Sequence, residues 1–257
     1  MIQSVQRAMR ILSVLGDSYD APVTLTVIGQ KTGLPVPTCA HIVSTLEEEG
    51  YALKVSRAKG YVLGPAAYYL SRFGRYKTDL ISVCRPVMQY LHRNLGRAVI
   101  LAVIEGGAKY VIDYVDDGKS FHTKEQIRMD YVYRTATGRA ILLNLSAERM
   151  YELFQKLGTP LEDDWPEVRD FEDLKILAAK AGKNDVQKVV HLNRTTGMLE
   201  VGYGTALFDD TGCVGAIGIA VGIYPEEEKA FLEEENRFYR LLKYSGKEIT
   251  KKLSEEA

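Results

Sequence analysis

The sequence predicts an α+β protein in two parts. A small winged helix-turn-helix head comes first, followed by a larger antiparallel-sheet domain flanked by helices. Three observations predict it. Two short apolar-periodic helices meet at Gly33 and are followed directly by two short strands with a basic tip. From Ala98 onward, strand-like runs, then helical runs, then strand-like runs again follow one another, the order that an antiparallel sheet with helices on its faces produces. At 257 residues the chain also exceeds what one core usually serves, so two domains are expected.

The head opens with Ser4 placed to cap a helix. Its apolar stripe is Val5, Ala8, Met9, Ile11, Leu12 and Leu15, and Gly16 stops it. The stretch from Leu25 to Tyr51 then reads as two helices. Val27, Ile28 and Lys31 lie on the first, and Gly33 ends it by taking the left-handed conformation of a tight turn. Pro35-Val36-Pro37 opens the second. Cys39, Ile42, Val43 and Leu46 fall on its apolar face; Thr38, His41, Ser44, Thr45 and Glu48 fall on the other. A braced helix offering short polar side chains is what entry into a DNA major groove requires, although a plain surface helix pair has the same pattern. Tyr51–Lys54 and Gly60–Leu63 read as strands around the tip Val55-Ser56-Arg57-Ala58-Lys59, and this order favours a wing that touches phosphates.

Charge distribution agrees. The net charge is −1, but residues 1–78 hold nine Lys/Arg against five Asp/Glu, a net of +4; the rest hold 24 against 29, a net of −5. A basic head on an acidic body suits a polyanion partner for the head alone. Cys39, Cys84 and Cys213 are too sparse and scattered for a disulfide framework, which points to a reducing compartment. Arg7 and Arg10 interrupt any leader-like apolar run, and no stretch approaches the ~20 apolar residues of a membrane span. A cytoplasmic location without membrane contact is expected.

The segments SVQRAMRILSVL, LTVIGQKTGLP with the following IVSTLEEEGY, and GYVLGPAAYYL resemble the winged helix-turn-helix of the IclR family of bacterial transcriptional regulators. The resemblance covers residues 4 to about 70. It implies a DNA-binding head over 1–64, a linker helix over 65–79 and a small-molecule effector domain over 80–257, in homodimers that often pair into tetramers. It also places the departures. The family commonly carries Lys-Ser-Thr at the start of the recognition helix and an Arg three residues later, where this chain has Val36-Pro37-Thr38 and His41. Pro37 lacks an N–H that would hold a phosphate, and His41 lacks the bidentate fork with which Arg reads guanine. Thr38, His41, Ser44 and Thr45 remain as base-side candidates, with Lys31, Arg57 and Lys59 for phosphates.

After Gly64, Pro65 starts a helix with Tyr68, Tyr69, Leu70 and Phe73, flanked by Arg72, Arg75 and Lys77. Thr78 is placed to cap the next helix, in which Pro86 marks a kink or a true start; Arg85-Pro86 matches the RP-x-L that opens the family's effector domain. Strands are expected at 98–104, 110–115, 126–132, 186–192, 199–207 and 214–221, with turns at Gly106-Gly107 and Asp116-Asp117-Gly118. Helices are expected at 138–145, 147–157 and 171–181, and a last one from Pro225 with Glu226, Glu227 and Glu228 in its first turn. The resemblance narrows this to a GAF-like fold.

Tyr133-Arg134-Thr135-Ala136-Thr137-Gly138-Arg139-Ala140 is the sharpest local motif. Thr137 can cap a helix whose first N–H groups, beside two arginines, suit an anion; a capped helix with solvated arginines is the plainer alternative. It resembles the TATGRA segment beside the family's effector pocket, which implies contacts from Thr135, Thr137 and Gly138. The opposite wall in the family offers small hydroxyl side chains, whereas this chain has Gly218 and Ala220, leaving a roomier pocket, a ligand held from the Thr137 side, or no ligand. Tyr203 and Thr205 are the replacement contacts expected. An enzyme is not expected: Cys213 with His191 is the one nucleophile–base pairing to weigh, His92 and His122 have no metal-ligand spacing, and no cofactor fingerprint is present. The reading is a DNA-binding regulator modulated by an organic or sugar acid. The alternative is a sensor or oligomerisation module with weak or lost DNA binding, acting through protein partners.

Overall fold

A computed structural model describes residues 2–18, 21–72, 76–116, 128–129, 131–194 and 196–255. The chain divides into two compact units, Met1–Tyr76 and Lys77–Ala257. Of the residues singled out above, Phe73, Arg75, Asp117, Gly118 and His122 lie outside the described residues, as do the side chains of Arg72 and Glu228.

The first unit runs α1 (Gln3–Gly16), α2 (Leu25–Thr32), α3 (Val36–Glu48), β1 (Ala52–Ser56), β2 (Gly60–Leu63) and α4 (Pro65–Arg72). Ser4 is not the cap of α1: the helix begins one residue earlier, after Ile2, with no side-chain cap. Thr24 caps α2 by accepting from the Val27 N–H at 3.4 Å, and Gly33 ends it at φ 70°. Ile11, Ile28, Cys39 and Val43 are fully buried where α1, α2 and α3 meet. Burying an aliphatic side chain of this size stabilises by about 1.5–3 kcal/mol. Val23 joins the two-stranded hairpin through an isolated antiparallel bridge, exchanging hydrogen bonds with Tyr61 at 2.8 and 2.9 Å. That approach requires Gly60, at φ +97°, because a Cβ there would stand 2.2 Å from the Val23 carbonyl oxygen.

The second unit runs α5 (Thr78–Leu95), β3 (Val99–Glu105), β4 (Ala108–Val115), β5 (Arg128–Met129), α6 (Ala136–Leu142), α7 (Ala147–Leu157), α8 (Phe171–Lys180), β6 (Val186–Leu192), β7 (Leu199–Asp209), β8 (Gly212–Ile223) and α9 (Glu228–Glu255). Short 3-10 turns occupy Val132–Arg134 and Pro225–Glu227, so the last α-helix starts at Glu228 rather than Pro225. Helix α5 runs through Pro86 without ending, and Thr78 is its first residue, with Lys77 rather than Thr78 at the cap position. Of the strand expected at 126–132, Arg128–Met129 form β5 and Val132 opens a 3-10 turn instead; residues 126, 127 and 130 lie outside the described residues.

The sheet is antiparallel in the order β5-β4-β3-β8-β7-β6. One face carries Leu101, Val201, Tyr203, Leu207, Ile217 and Ile219 against α5 and α9. On the other, Ala206, Phe208 and Ala216 meet Ala140 and Ile141 of α6. Beyond α6, a smaller cluster built on Leu142, Phe154, Trp165 and Leu174 joins α7 and α8. No described helix is long and apolar enough to cross a membrane.

Candidate functional site

In the first unit, α3 turns Cys39, Val43 and Leu46 inward and leaves His41, Ser44 and Thr45 exposed, with Thr38 half-buried at its start. Lys31 stands exposed at the end of α2, and Arg57 and Lys59 at the wing tip. The tip is closed by the Lys59 N–H donating to Ser56 Oγ at 3.0 Å, while Lys54 reaches back over the Tyr61 ring at 5.8 Å. Two hydroxyls on the reading face are used within the helix. Ser44 donates to Glu48 at 3.4 Å and Thr45 to the His41 carbonyl at 3.3 Å. Glu48 therefore belongs to the surface as a carboxylate that holds Ser44. Its i, i+4 spacing was readable, but the bond was not.

In the second unit, the cap of α6 is Thr135 and not Thr137: Thr135 Oγ1 accepts from the Gly138 N–H at 3.1 Å. Thr137 is buried, and its Cγ2 would lie 2.5 Å from a Cβ placed on Gly218; its amide nitrogen would lie 2.6 Å from one on Gly204. The space that Gly218 leaves is thus filled by α6 itself, and the amide of Thr137 packs on the sheet rather than opening to a ligand. Gly138 is as confined, 2.2 Å from the Val132 oxygen at its Cβ position.

Past the N-terminal start of α6 at Ala136 the sheet face is freer. Gly202 would meet only Ala136 atoms at 3.5 and 3.9 Å, and its cross-strand partner Ala220 is half-buried. Next to Ala136 in the chain stand Thr135, half-buried, and Arg134, whose carbonyl accepts from His191 Nε2 at 2.8 Å. Tyr203 and Thr205 are on the opposite face. Tyr203 is wholly buried and donates to Glu235 on α9 at 2.7 Å; burial first, then Glu235, pushes its hydroxyl pKa well up. Thr205 packs on Gly246. The structure therefore brings Thr135, Thr137, Gly138, Gly218 and Ala220 to one side of the sheet and separates Tyr203 and Thr205 from them.

The two arginines of the motif have structural partners. Arg139 donates to the Tyr133 carbonyl at 2.7 Å and to the Asp164 carbonyl, and stacks on Trp165 at 4.4 Å; burial lowers its pKa to about 10. Arg134 pairs with Asp164 at 3.2 Å. The Cys213 thiol points at the Gly215 carbonyl, and burial raises its pKa to about 12, far from a nucleophilic thiolate at neutral pH.

A winged helix-turn-helix unit followed by an antiparallel sheet carrying helices on both faces defines a two-domain winged-helix protein. Its two parts match two models of one family: the IclR helix-turn-helix domain over residues 4–56 and the bacterial transcriptional regulator IclR C-terminal domain over residues 75–161. The chain belongs to the IclR family of bacterial transcriptional regulators, which are transcription factors rather than enzymes. The HTH-type transcriptional regulator TtgV of Pseudomonas putida is 31% identical over 150 residues, covering 58% of this chain and 57% of TtgV. The transcriptional repressor IclR of Escherichia coli is 23% identical over 160 residues, covering 61% and 58%. The chain thus spans somewhat more than half the length of these curated relatives. A crystal structure of an IclR homologue from Microbacterium hydrocarbonoxydans, complexed with 4-hydroxybenzoate, shares the fold. Its TM-score is 0.67 at 18% identity over 97% of this chain and 98% of that one.

Proposed function

We propose that the protein is a cytoplasmic, sequence-specific DNA-binding transcription regulator whose hold on double-stranded DNA is set by a small-molecule effector, an organic or sugar acid. It works as a homodimer that can pair into a tetramer, with the helix after Pro65 linking head to sensor. The observation that carries the reading is the division of α3, apolar inward and His41, Ser44 and Thr45 outward, beside a wing tip with Arg57 and Lys59. Two such helices in a dimer reach successive major grooves about 34 Å apart. An effector can shift that equilibrium only by its difference in affinity for the two arrangements.

Anisotropy titration against the DNA upstream of the protein's own operon tests this. Specific binding is expected at least about 1000-fold tighter than to unrelated DNA of equal length. His41→Ala should cost about 1–2 kcal/mol on the specific site and nothing on the unrelated one. Arg57→Gln with Lys59→Gln, which removes two phosphate contacts from each of the two heads, should flatten the log–log salt dependence by about 3.6 on both. Equal affinity for all sequences would overturn the regulator reading and leave a sensor module.

The effector belongs over Gly202 and Ala220, past the N-terminal start of α6, because the face over Gly204 and Gly218 is filled. That a related fold holds 4-hydroxybenzoate supports an organic acid as the class. An acid at 100 times its dissociation constant would stabilise the sensor by about 2.7 kcal/mol, raising the midpoint by roughly 5–10 °C. Ala220→Phe should abolish that rise while barely changing the unliganded midpoint. A rise that survives Ala220→Phe places the ligand elsewhere.

A further inference from the structure

We propose that the outer edge of β6, with the cationic cleft beside it, is a docking groove for an extended acidic segment of a partner protein, taken up as an added strand. β6 ends the sheet. It pairs with β7 from Val186↔Thr205 to Leu192↔Leu199 without a bulge, and among the described residues its other edge makes no backbone hydrogen bond. Proteins usually blunt such an edge with proline, bulges, charges or a covering element, because unpaired N–H and C=O groups template another chain. β6 has no proline. Its one charged residue, Lys188, is taken by Glu235 at 2.5 Å, and His191 by the Arg134 carbonyl. Val190 and Leu192 stand 46% and 55% exposed on it. Seven residues offer about 23 Å of template.

Charge says what kind of chain fits. A cleft of about 570 Å³, open to solvent, is lined by the start of β6, by Trp165 and the end of α8, and by α9. Arg139, Lys180, Lys188, Arg240 and Lys243 line it against two carboxylates, Glu167 and Asp185. Lys188 and Lys243 are paired with Glu235 and Asp185, and Arg139 is held by carbonyls. Lys180 and Arg240 are exposed and have no ion-pair partner among the described residues. Residues 77–257 hold 25 Lys/Arg against 29 Asp/Glu, a net of −4, so this positive rim runs against the unit's own balance. A small-molecule site would enclose most of its ligand. An open cleft that continues onto an unpaired strand edge instead suits an extended chain. Such a chain meets the edge with its backbone and the rim with every second side chain. A second copy of this protein would bring β6 itself, VQKVVHL, which holds no acid to answer Lys180 and Arg240.

The test uses the full-length protein and a fluorescein-labelled heptapeptide alternating valine with aspartate or glutamate. Anisotropy should show binding that weakens with salt. It should fall roughly tenfold or more for the peptide with the acids amidated, for the peptide with its valines replaced by proline, and for Lys180→Glu with Arg240→Glu in the protein. Amide exchange should slow within Val186–Leu192 only when the acidic peptide is present; this holds in the parent protein, so it decides the matter even if the double variant does not fold. Equal binding of the proline peptide, unchanged exchange in β6, or no binding at low salt would each overturn the proposal. So would self-association that Val190→Lys abolishes, which would assign the edge to a second copy.

Discussion

Gly204→Ala is expected to lower the unfolding midpoint of the second unit by about 10 °C or more, whereas Gly202→Ala, two residues away on the same face, should leave it within about 2 °C. A Cβ on Gly204 would stand 2.6, 2.7 and 2.9 Å from Thr137 N, Ala136 C and Ala136 O. All three are backbone atoms, so no side chain can swing aside. Nor can α6 retreat freely: Arg139 fixes it to the Tyr133 carbonyl at 2.7 Å, and Gly138 sits against the Val132 oxygen. Forcing an extra carbon into such a contact costs about 3–4 kcal/mol, and for a unit of this size each kcal/mol moves the midpoint roughly 2–4 °C. Gly202 would meet Ala136 at 3.5 Å, an ordinary van der Waals distance. Thermal unfolding followed by circular dichroism separates the two. Equal midpoints for both variants would show that α6 is not seated on these glycines.

The same contact shows what the sequence disclosed and what it withheld. The head was legible because its signals are local: helical spacing of Cys39, Val43 and Leu46, a glycine at the turn, and a hairpin with a charged tip. The cap of α6 was misplaced because Thr135 and Thr137 are chemically equivalent; only the position of the Gly138 N–H distinguishes them. Gly218 read as missing a donor, when the lack of a side chain lets Thr137 approach. The grouping of Tyr203 and Thr205 with Gly218 failed for one residue's worth of register. The β7–β8 hairpin pairs Asp209 with Gly212, and a ladder without irregularity from there would put Tyr203 opposite Gly218. A bulge between Leu207 and Phe208 shifts the pairing, so that Tyr203 faces Ile219 and Gly204 faces Gly218. Cross-strand partners share a face, so one inserted residue sends Tyr203 to the other side. Contacts such as Arg85 with Asp113, or Tyr203 with Glu235, join residues far apart in the chain and have no local signature.

Arg85→Ala is expected to destabilise the second unit by about 2–3 kcal/mol at pH 7 and by much less near pH 4. Asp113 on β4 is 7% exposed and pairs with Arg85 on α5, whose side chain is 52% exposed. Burial raises the Asp113 pKa, while Arg85 and the Tyr114 N–H pull it down; burial prevails, so the folded value lies above the usual 3.8. A carboxyl raised in this way stabilises the fold fully below its unfolded pKa, and that contribution is lost as pH climbs through the folded value. Removing Arg85 takes away a lowering influence, carries the folded value higher, and extends the loss toward neutrality. The magnitude falls short of the about 3–5 kcal/mol for breaking a fully buried pair, because water screens the guanidinium. Cys84, beside the pair, does not confuse the profile: burial and Asp113 hold its thiol at about 12, neutral throughout. Unfolding midpoints of parent and variant from pH 4 to 7 should diverge by roughly 5–10 °C at the upper end, and adding Asp113→Asn should remove the divergence. A deficit that is the same at every pH would mean that Arg85 acts by packing its stem along α5. A deficit that grows with pH and vanishes with Asp113→Asn would mean that charge joins α5 to β4, across a core otherwise held by Leu91, Leu101 and their apolar neighbours.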